Sequence, residues 1–378
     1  MERLRGEVGH TPDPAGPWQP DGQGASPAAG DSTQALNWDQ PVAPSEEDFT
    51  PAETVYLRPA RAPLIAVAVL ALAALVGSTV TVAFSARGRA APLPGVVRSS
   101  HAGIAYFGTL TGDLAGPLAV AVGPDGDVFV TDTENGRVRR FDGISGLPKE
   151  TIGRKAGMAP GPGELVHPVG LALDETGRLY VSDNVMRRIS VFDATGRFAG
   201  YFAEDGEGRR PFGTPGSLFH RGGILYISDL AEHRVMALRR DGTVYRVLGG
   251  GRGPEPGQLV YPGSTWVDDA GTVFVADPGN QRVQVFDPAG ALVRTLADPV
   301  FNLPRGIARD AAGRLYVSST LGHFITVFSP DGTAEFSYGS SGSEWNELGF
   351  PTGIAIAAGR LFVADRANNR VQVFLLSG

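Results

Sequence analysis

Five aspartates each stand five residues before an arginine: Asp132 and Arg137, Asp183 and Arg188, Asp229 and Arg234, Asp277 and Arg282, Asp365 and Arg370. A carboxylate and a guanidinium at that separation can pair across a tight turn, and the remaining carboxylate lone pairs accept turn N–H groups. The same groups could hold a polar ligand. Five near-copies favour the structural use, a clasp made once per unit. A sixth copy of the turn carries Ser319 for the aspartate and Phe324 for the arginine, with Gly322 and His323 before the latter. That turn has either lost its clasp by drift or been reshaped for a ligand.

Other residue types set limits. The six histidines are His10 and His101, outside the repeated units, and His167, His220, His233 and His323, read as non-equivalent within them. Scattered imidazoles make a poor three-histidine zinc site. With no cysteine there is neither a disulfide framework nor a thiolate metal site. No G-x-S-x-G elbow or P-loop is present. From residue 100 onward 26 lysines and arginines face 30 acids, whereas nucleic-acid binding favours a positive surface. A local arginine patch (Arg187, Arg188, Arg234, Arg305, Arg366) is the one counter-indication.

These residues need elements to position them, and residues 259–287 show which. Three apolar runs, Ser264–Val267, Thr272–Ala276 and Arg282–Phe286, are separated by Asp268-Asp269-Ala270-Gly271 and Asp277-Pro278-Gly279-Asn280. β-branched and aromatic residues between short turns predict an antiparallel meander. The unit recurs six times. A proline precedes each first strand at Pro117, Pro168, Pro215, Pro262, Pro304 and Pro351, 42 to 51 residues apart. Strand-only repeats of that period signal a β-propeller, one blade per repeat.

The strings P-x-G-[IV]-A, [LV]-[FY]-V-[AST]-D and N-x-R-V-Q-V-F, clearest at 262–286 and 351–374, resemble the NHL repeat family over about residues 104–378. The expected fold is all-β: a six-bladed NHL-type propeller with four-stranded blades. Fourth strands are expected at Glu150–Ile152, Phe198–Phe202, Val244–Leu248, Leu292–Leu296 and Ala334–Tyr338. The last repeat has no room for one, so Ile104–Leu110 should supply it and close the ring as three strands plus one. The proline loops and the Asp-to-Arg turns then share one face of the disc, and plain hairpins occupy the other.

Related propellers suggest where a metal would sit. Peptidyl-amidating lyases, which resemble NHL propellers, take zinc through a histidine after the first-strand proline. That position holds Leu118, Val169, Gly216, Gly263, Arg305 and Thr352. Gluconolactonase-like propellers use channel carboxylates and amides. The next position here holds Ala119, Gly170, Ser217, Ser264, Gly306 and Gly353, small residues suited to a crowded axis. No cofactor is implied, and a channel calcium or zinc ion belongs to the alternative reading only.

Ahead of the propeller, residues 1–61 carry nine prolines and no periodic apolar pattern, as expected of a disordered tail. Residues 62–86 lack any charge and reach beyond a bilayer core of about 30 Å as a helix, predicting one transmembrane span. A linker, 87–103, follows. Flanking arginines nearly cancel, so charge does not orient the span. The expected arrangement is single-pass in the plasma membrane, with a cytoplasmic tail and an extracytoplasmic propeller.

The functional expectation is a membrane-anchored binding module for a protein, peptide or cell-envelope polymer, with nucleic acid disfavoured. Candidate ligand contacts are Arg305, His167, Tyr261, Trp266, His323 and Phe350, Tyr261 and Trp266 having a core role as the alternative. The competing class is a metal-dependent hydrolase or lyase acting in the central channel. A pure scaffold in an envelope complex is the third.

Overall fold

Proline, β-branched runs and Asp-Gly turns divide the chain at regular places. The structure, a computed structural model, describes residues 100, 101, 103–297 and 301–377. The 1–61 tail, the 62–86 span and most of the 87–103 linker lie outside the described residues. Among the described residues no helix is long and apolar enough to cross a membrane.

Blade 1 runs Pro117–Val122, Val128–Asp132, Arg137–Phe141 and Pro148–Ile152, paired in chain order. Blades 2 to 5 repeat this, starting at Pro168, Pro215, Thr265 and Pro304. Blade 4 thus starts one residue later than expected, because Ser264 N–H bonds the Arg305 carbonyl of the next blade at 2.8 Å. Blade 6 supplies Pro351–Ala357, Arg360–Asp365 and Arg370–Leu376; its fourth strand is Ile104–Leu110, with Tyr106 opposite Phe374 and Leu110 opposite Val371. Ser100–His101 pairs beyond it as a fifth strand, so the expected linker gives its end to the sheet.

Second strands such as Val273–Asp277 are buried at every position, and the blade stacking explains this. Side chains alternate between faces, and each face meets a neighbouring blade. Phe274 packs towards blade 5 with Ile307, Val317 and Phe328, whereas Val273 and Val275 pack towards blade 3 with Val235 and Leu248. Six such apolar layers, one per junction, form the core.

Hydrogen bonds tie every junction near the axis. Thr133 Oγ1 donates to Pro168 O at 2.7 Å, Ser182 Oγ to Gly216 O at 2.5 Å, and Ser228 Oγ to Gly263 O. The Ser264–Arg305 backbone bond serves the fourth junction; Ser318 Oγ to Thr352 O at 2.6 Å and Thr352 Oγ1 to Pro117 O at 3.3 Å complete the ring. A Cβ at Gly170, Gly306 or Gly353 would come within 3.0 Å of the next blade's Gly216, Thr352 or Leu118 carbonyl oxygen. The small residues of the repeat are therefore required by axial crowding.

Ring closure rests on the N-terminal strand, which buries Ile104, Tyr106 and Leu110. At about 1.5–3 kcal/mol per fully buried large side chain, deleting 104–110 forfeits about 5–9 kcal/mol. Thermal melting should fall by more than about 10 °C. An unchanged melting temperature would refute closure by this strand.

Candidate functional site

The repeated aspartates are wholly buried, and a buried carboxylate must be saturated with donors. Each catches the backbone N–H two residues before its own blade's first-strand proline, or that of the corresponding position. Asp132 accepts from Ala115 at 2.7 Å, Asp183 from Val166 at 2.7 Å, Asp229 from Gly213 at 3.0 Å, Asp277 from Val260 at 2.7 Å and Asp365 from Gly349 at 2.6 Å. In blade 5 the Ser319 hydroxyl accepts from Asn302 N–H at 2.8 Å. The apparent exception therefore keeps the loop tie and loses only the arginine.

Around Asp277 the shell is complete: Asn280 Nδ2 at 2.8 Å, Arg282 Nε at 2.8 Å and Gln284 Nε2 at 3.1 Å also donate. Arg282 then reaches the carbonyls of Pro254, Glu255 and Gln258, each at 2.9 Å. Asp365 and Arg370 repeat the arrangement, with Arg370 bonding the carbonyls of Ser343, Glu344 and Glu347. One ion pair thus anchors a long loop, 249–261 or 339–350, onto the same face. Asp132–Arg137 at 2.5 Å and Asp229–Arg234 at 3.3 Å are plainer versions. Blade 2 differs from the expected clasp. Arg188 lies over the Tyr201 ring at 4.5 Å, and Asp183 fills its shell with the N–H groups of Val166, His167 and Met186.

The residue before each arginine position adopts a left-handed backbone in all six blades: Gly136, Arg187, His233, Gln281, His323 and Asn369, with φ from 51° to 62°. His233 and His323, read as non-equivalent from sequence, occupy this one position. From it, side chains latch the next blade. His233 Nδ1 accepts Tyr261 N–H at 3.0 Å, His323 Nδ1 lies 3.1 Å from Leu348 O and 3.3 Å from Phe350 N, and Asn369 Oδ1 accepts Gly116 N–H at 2.9 Å. Burial first, then the nearby Arg252, depresses the His233 pKa and keeps the ring neutral as an acceptor.

The candidate ligand residues separate into groups. Tyr261 is 53% exposed with its ring 4.5 Å from His233, and Phe350 is 40% exposed with its ring 4.6 Å from His323. His167 is half-buried, its Nδ1 2.9 Å from Asn184 Oδ1. Arg305 is exposed to solvent, and the neighbouring protein, followed by the charge of Arg366, lowers its pKa. All five lie on the loop face but in several blades. Trp266 does not: it is half-buried against Phe274, with Arg221 and Arg309 within 6 Å of the ring, which corrects its place among the ligand contacts in favour of packing.

The opposite face holds a cavity of about 680 Å³ that the repeat pattern does not announce. Among its lining residues are Asp174, Glu175, His220, Arg221, Tyr226 and Asp268. His220 stacks on Tyr180, 6.1 Å between centroids, with Nδ1 3.7 Å from a Glu175 carboxylate oxygen. Burial lowers its pKa against the pull of Glu175 and Asp174. Asp174 is occupied by the N–H groups of Thr176 and Arg178 within its own hairpin. Among the described residues no group of three or more His, Asp or Glu side chains is arranged to hold a metal ion.

Comparisons with known proteins agree with this geometry. A family model for the NHL repeat matches residues 114–141 and 348–374. NHL repeat-containing protein 3 of Homo sapiens is 24% identical over 172 residues, covering 40% of this chain and 48% of the relative. The chain thus spans about half the length of that curated relative. A gluconolactonase from Xanthomonas campestris superposes with a TM-score of 0.57 at 20% identity, over 76% of this chain and 99% of its own. Virginiamycin B lyase from Staphylococcus aureus, with quinupristin, gives 0.51 at 13% identity, over 74% and 94%. At such identities the two solved structures establish the fold alone.

The donor shells rank the blades by sensitivity. Asp277→Ala strips the partner from an almost buried arginine and leaves several donors unsatisfied, a loss of about 3–5 kcal/mol. Ser319→Ala removes one neutral hydrogen-bond partner, about 1 kcal/mol. Urea midpoints should fall in that order; equal losses would contradict the shell assignment.

Proposed function

We propose that this chain, an NHL-repeat six-bladed propeller, is a membrane-anchored binding module whose loop face docks a protein partner. NHL propellers commonly mediate protein interaction. The observation that carries the reading is the pair of exposed aromatic rings, Tyr261 and Phe350, each fixed by a histidine of the preceding blade. Exposed rings normally lose freedom on binding. These are already held, so docking them sacrifices little entropy, as interface anchors require. The anchored loops 249–261 and 339–350 extend the same surface.

The uncharged stretch 62–86 supports attachment to a membrane, and the orientation proposed with it has the tail cytoplasmic and the propeller outside the plasma membrane. An extracytoplasmic peptide or envelope polymer is a narrower version of the same partner. The activities in the names of the two solved neighbours belong to those proteins. In this chain the two residues after each first-strand proline include no carboxylate and no imidazole, which weakens the channel-enzyme alternative.

The only two lysines offer a direct test. Lys155, bonded to Glu134 O, is on the loop face, and Lys149, paired with Asp127 and Asp142, is on the hairpin face. A membrane-impermeant amine-reactive photocrosslinker applied to intact cells should yield one protein adduct through Lys155, reduced by Tyr261→Ala with Phe350→Ala. Adducts only through Lys149 would overturn the loop-face assignment, and labelling only after lysis would overturn the orientation.

A further inference from the structure

The first strands of four consecutive blades end around one cavity on the hairpin face. Val122, Leu173, Arg221 and Val267 are the last residues of Pro117–Val122, Pro168–Leu173, Pro215–Arg221 and Thr265–Val267, and all four line it. Its volume of about 680 Å³ falls within the roughly 300–1,000 Å³ of small-molecule sites. Val122, Leu173 and Val267 give it apolar walls.

Within these walls His220 is a polar group without a partner. Its side chain is only 6% exposed, and its ring stacks on Tyr180 with 6° between the planes. Among the described residues neither ring nitrogen makes a hydrogen bond, and the Glu175 carboxylate oxygen 3.7 Å from Nδ1 is beyond bonding length. Burial outweighs the pull of Glu175 and Asp174 and keeps the ring neutral, so one nitrogen is an acceptor. A buried acceptor that the protein leaves open is costly unless a donor reaches it.

The charges around the cavity say which donor fits. Arg221 is spent on the Asp269 carboxylate and on Val267 O, and Asp268 is paired with Arg309 at 3.6 Å. Asp174 and Glu175 remain without a paired cation. Asp174 is held by hairpin N–H groups, whereas Glu175 makes no hydrogen bond among the described residues. Arg178 and Arg240 act on Tyr180 and His220 but do not line the cavity. The site therefore carries excess negative charge beside an open acceptor. An anion would be repelled, and a hard metal ion needs more oxygen ligands than converge here. An ammonium group donates to imidazole and carboxylate together.

We propose that this cavity binds a small organic ammonium compound, its N–H groups on His220 and Glu175 and its apolar body against Val122, Leu173 and Val267. The site lies on the face opposite Tyr261 and Phe350 and is independent of the docking assigned to them.

The test uses the full-length chain in neutral detergent and follows 4-fluorobenzylamine by fluorine NMR, with protein-free micelles as the baseline. Saturable binding is expected, at least fivefold tighter than that of the neutral 4-fluorobenzyl alcohol or the anionic 4-fluorophenylacetate. Glu175→Gln and His220→Phe should each weaken it at least fivefold. The phenylalanine keeps a ring on Tyr180, and Glu175 is 67% exposed, so its variant folds and suffices alone. Tyr261→Ala with Phe350→Ala should leave the amine bound as before. No saturable amine binding, equal binding of amine and alcohol, or amine binding indifferent to Glu175→Gln would overturn the proposal. So would loss of binding in the loop-face double variant.

Discussion

A single buried acceptor at the end of each second strand governs the propeller. Proline opens the first strand but brings no N–H, so the approach to it lacks ladder bonds. The Asp carboxylate, or the Ser319 hydroxyl, takes the N–H two residues earlier and fixes the chain's entry into every blade. Buried in the blade, the acceptor cannot be replaced by water. The strand register, the αL turn that follows and the height of the proline loop are all set from that point.

From it the molecule acquires two unequal faces. Where the acceptor is an aspartate with a paired arginine, the guanidinium extends the hold into the long loops, as in blades 4 and 6. The other face is made of short Asx-type hairpins such as Asp174–Gly177 and Asp310–Gly313, each closed within itself. Stacking of blades supplies the stability; the acceptors convert a stable ring into one that displays particular side chains at fixed positions. That division explains why recurrent residues are internal and why the side chains suited to recognition, Tyr261, Phe350 and Arg305, do not recur.

Much of this was legible in the sequence because it repeats. Six prolines, five aspartates and period-two apolar runs specify the blades, and the missing sixth outer strand specifies closure by 104–110. Legibility failed where one function is met by different residue types. Ser319 looks like a lost clasp but presents an oxygen at the same place as a carboxylate. Arg188 looks like a clasp but finds the Tyr201 ring, since Asp183 is already satisfied by backbone donors. The left-handed position is filled by Gly, Arg, His, Gln and Asn, so the shared backbone of His233 and His323 has no common letter. The cavity around His220 arises from hairpins of separate blades, and no local motif announces it.

Amide hydrogen exchange at the six caught N–H groups tests the central claim most directly. Ala115, Val166, Gly213, Val260, Asn302 and Gly349 all lie outside the regular ladders, where amides ordinarily exchange fast. The buried-acceptor account predicts protection at these six comparable to that of the second strands, and lowest at Asn302, whose acceptor is a neutral hydroxyl. Exchange at the rate of the open hairpin turns would show that the loops are not held from within, and the account would fail.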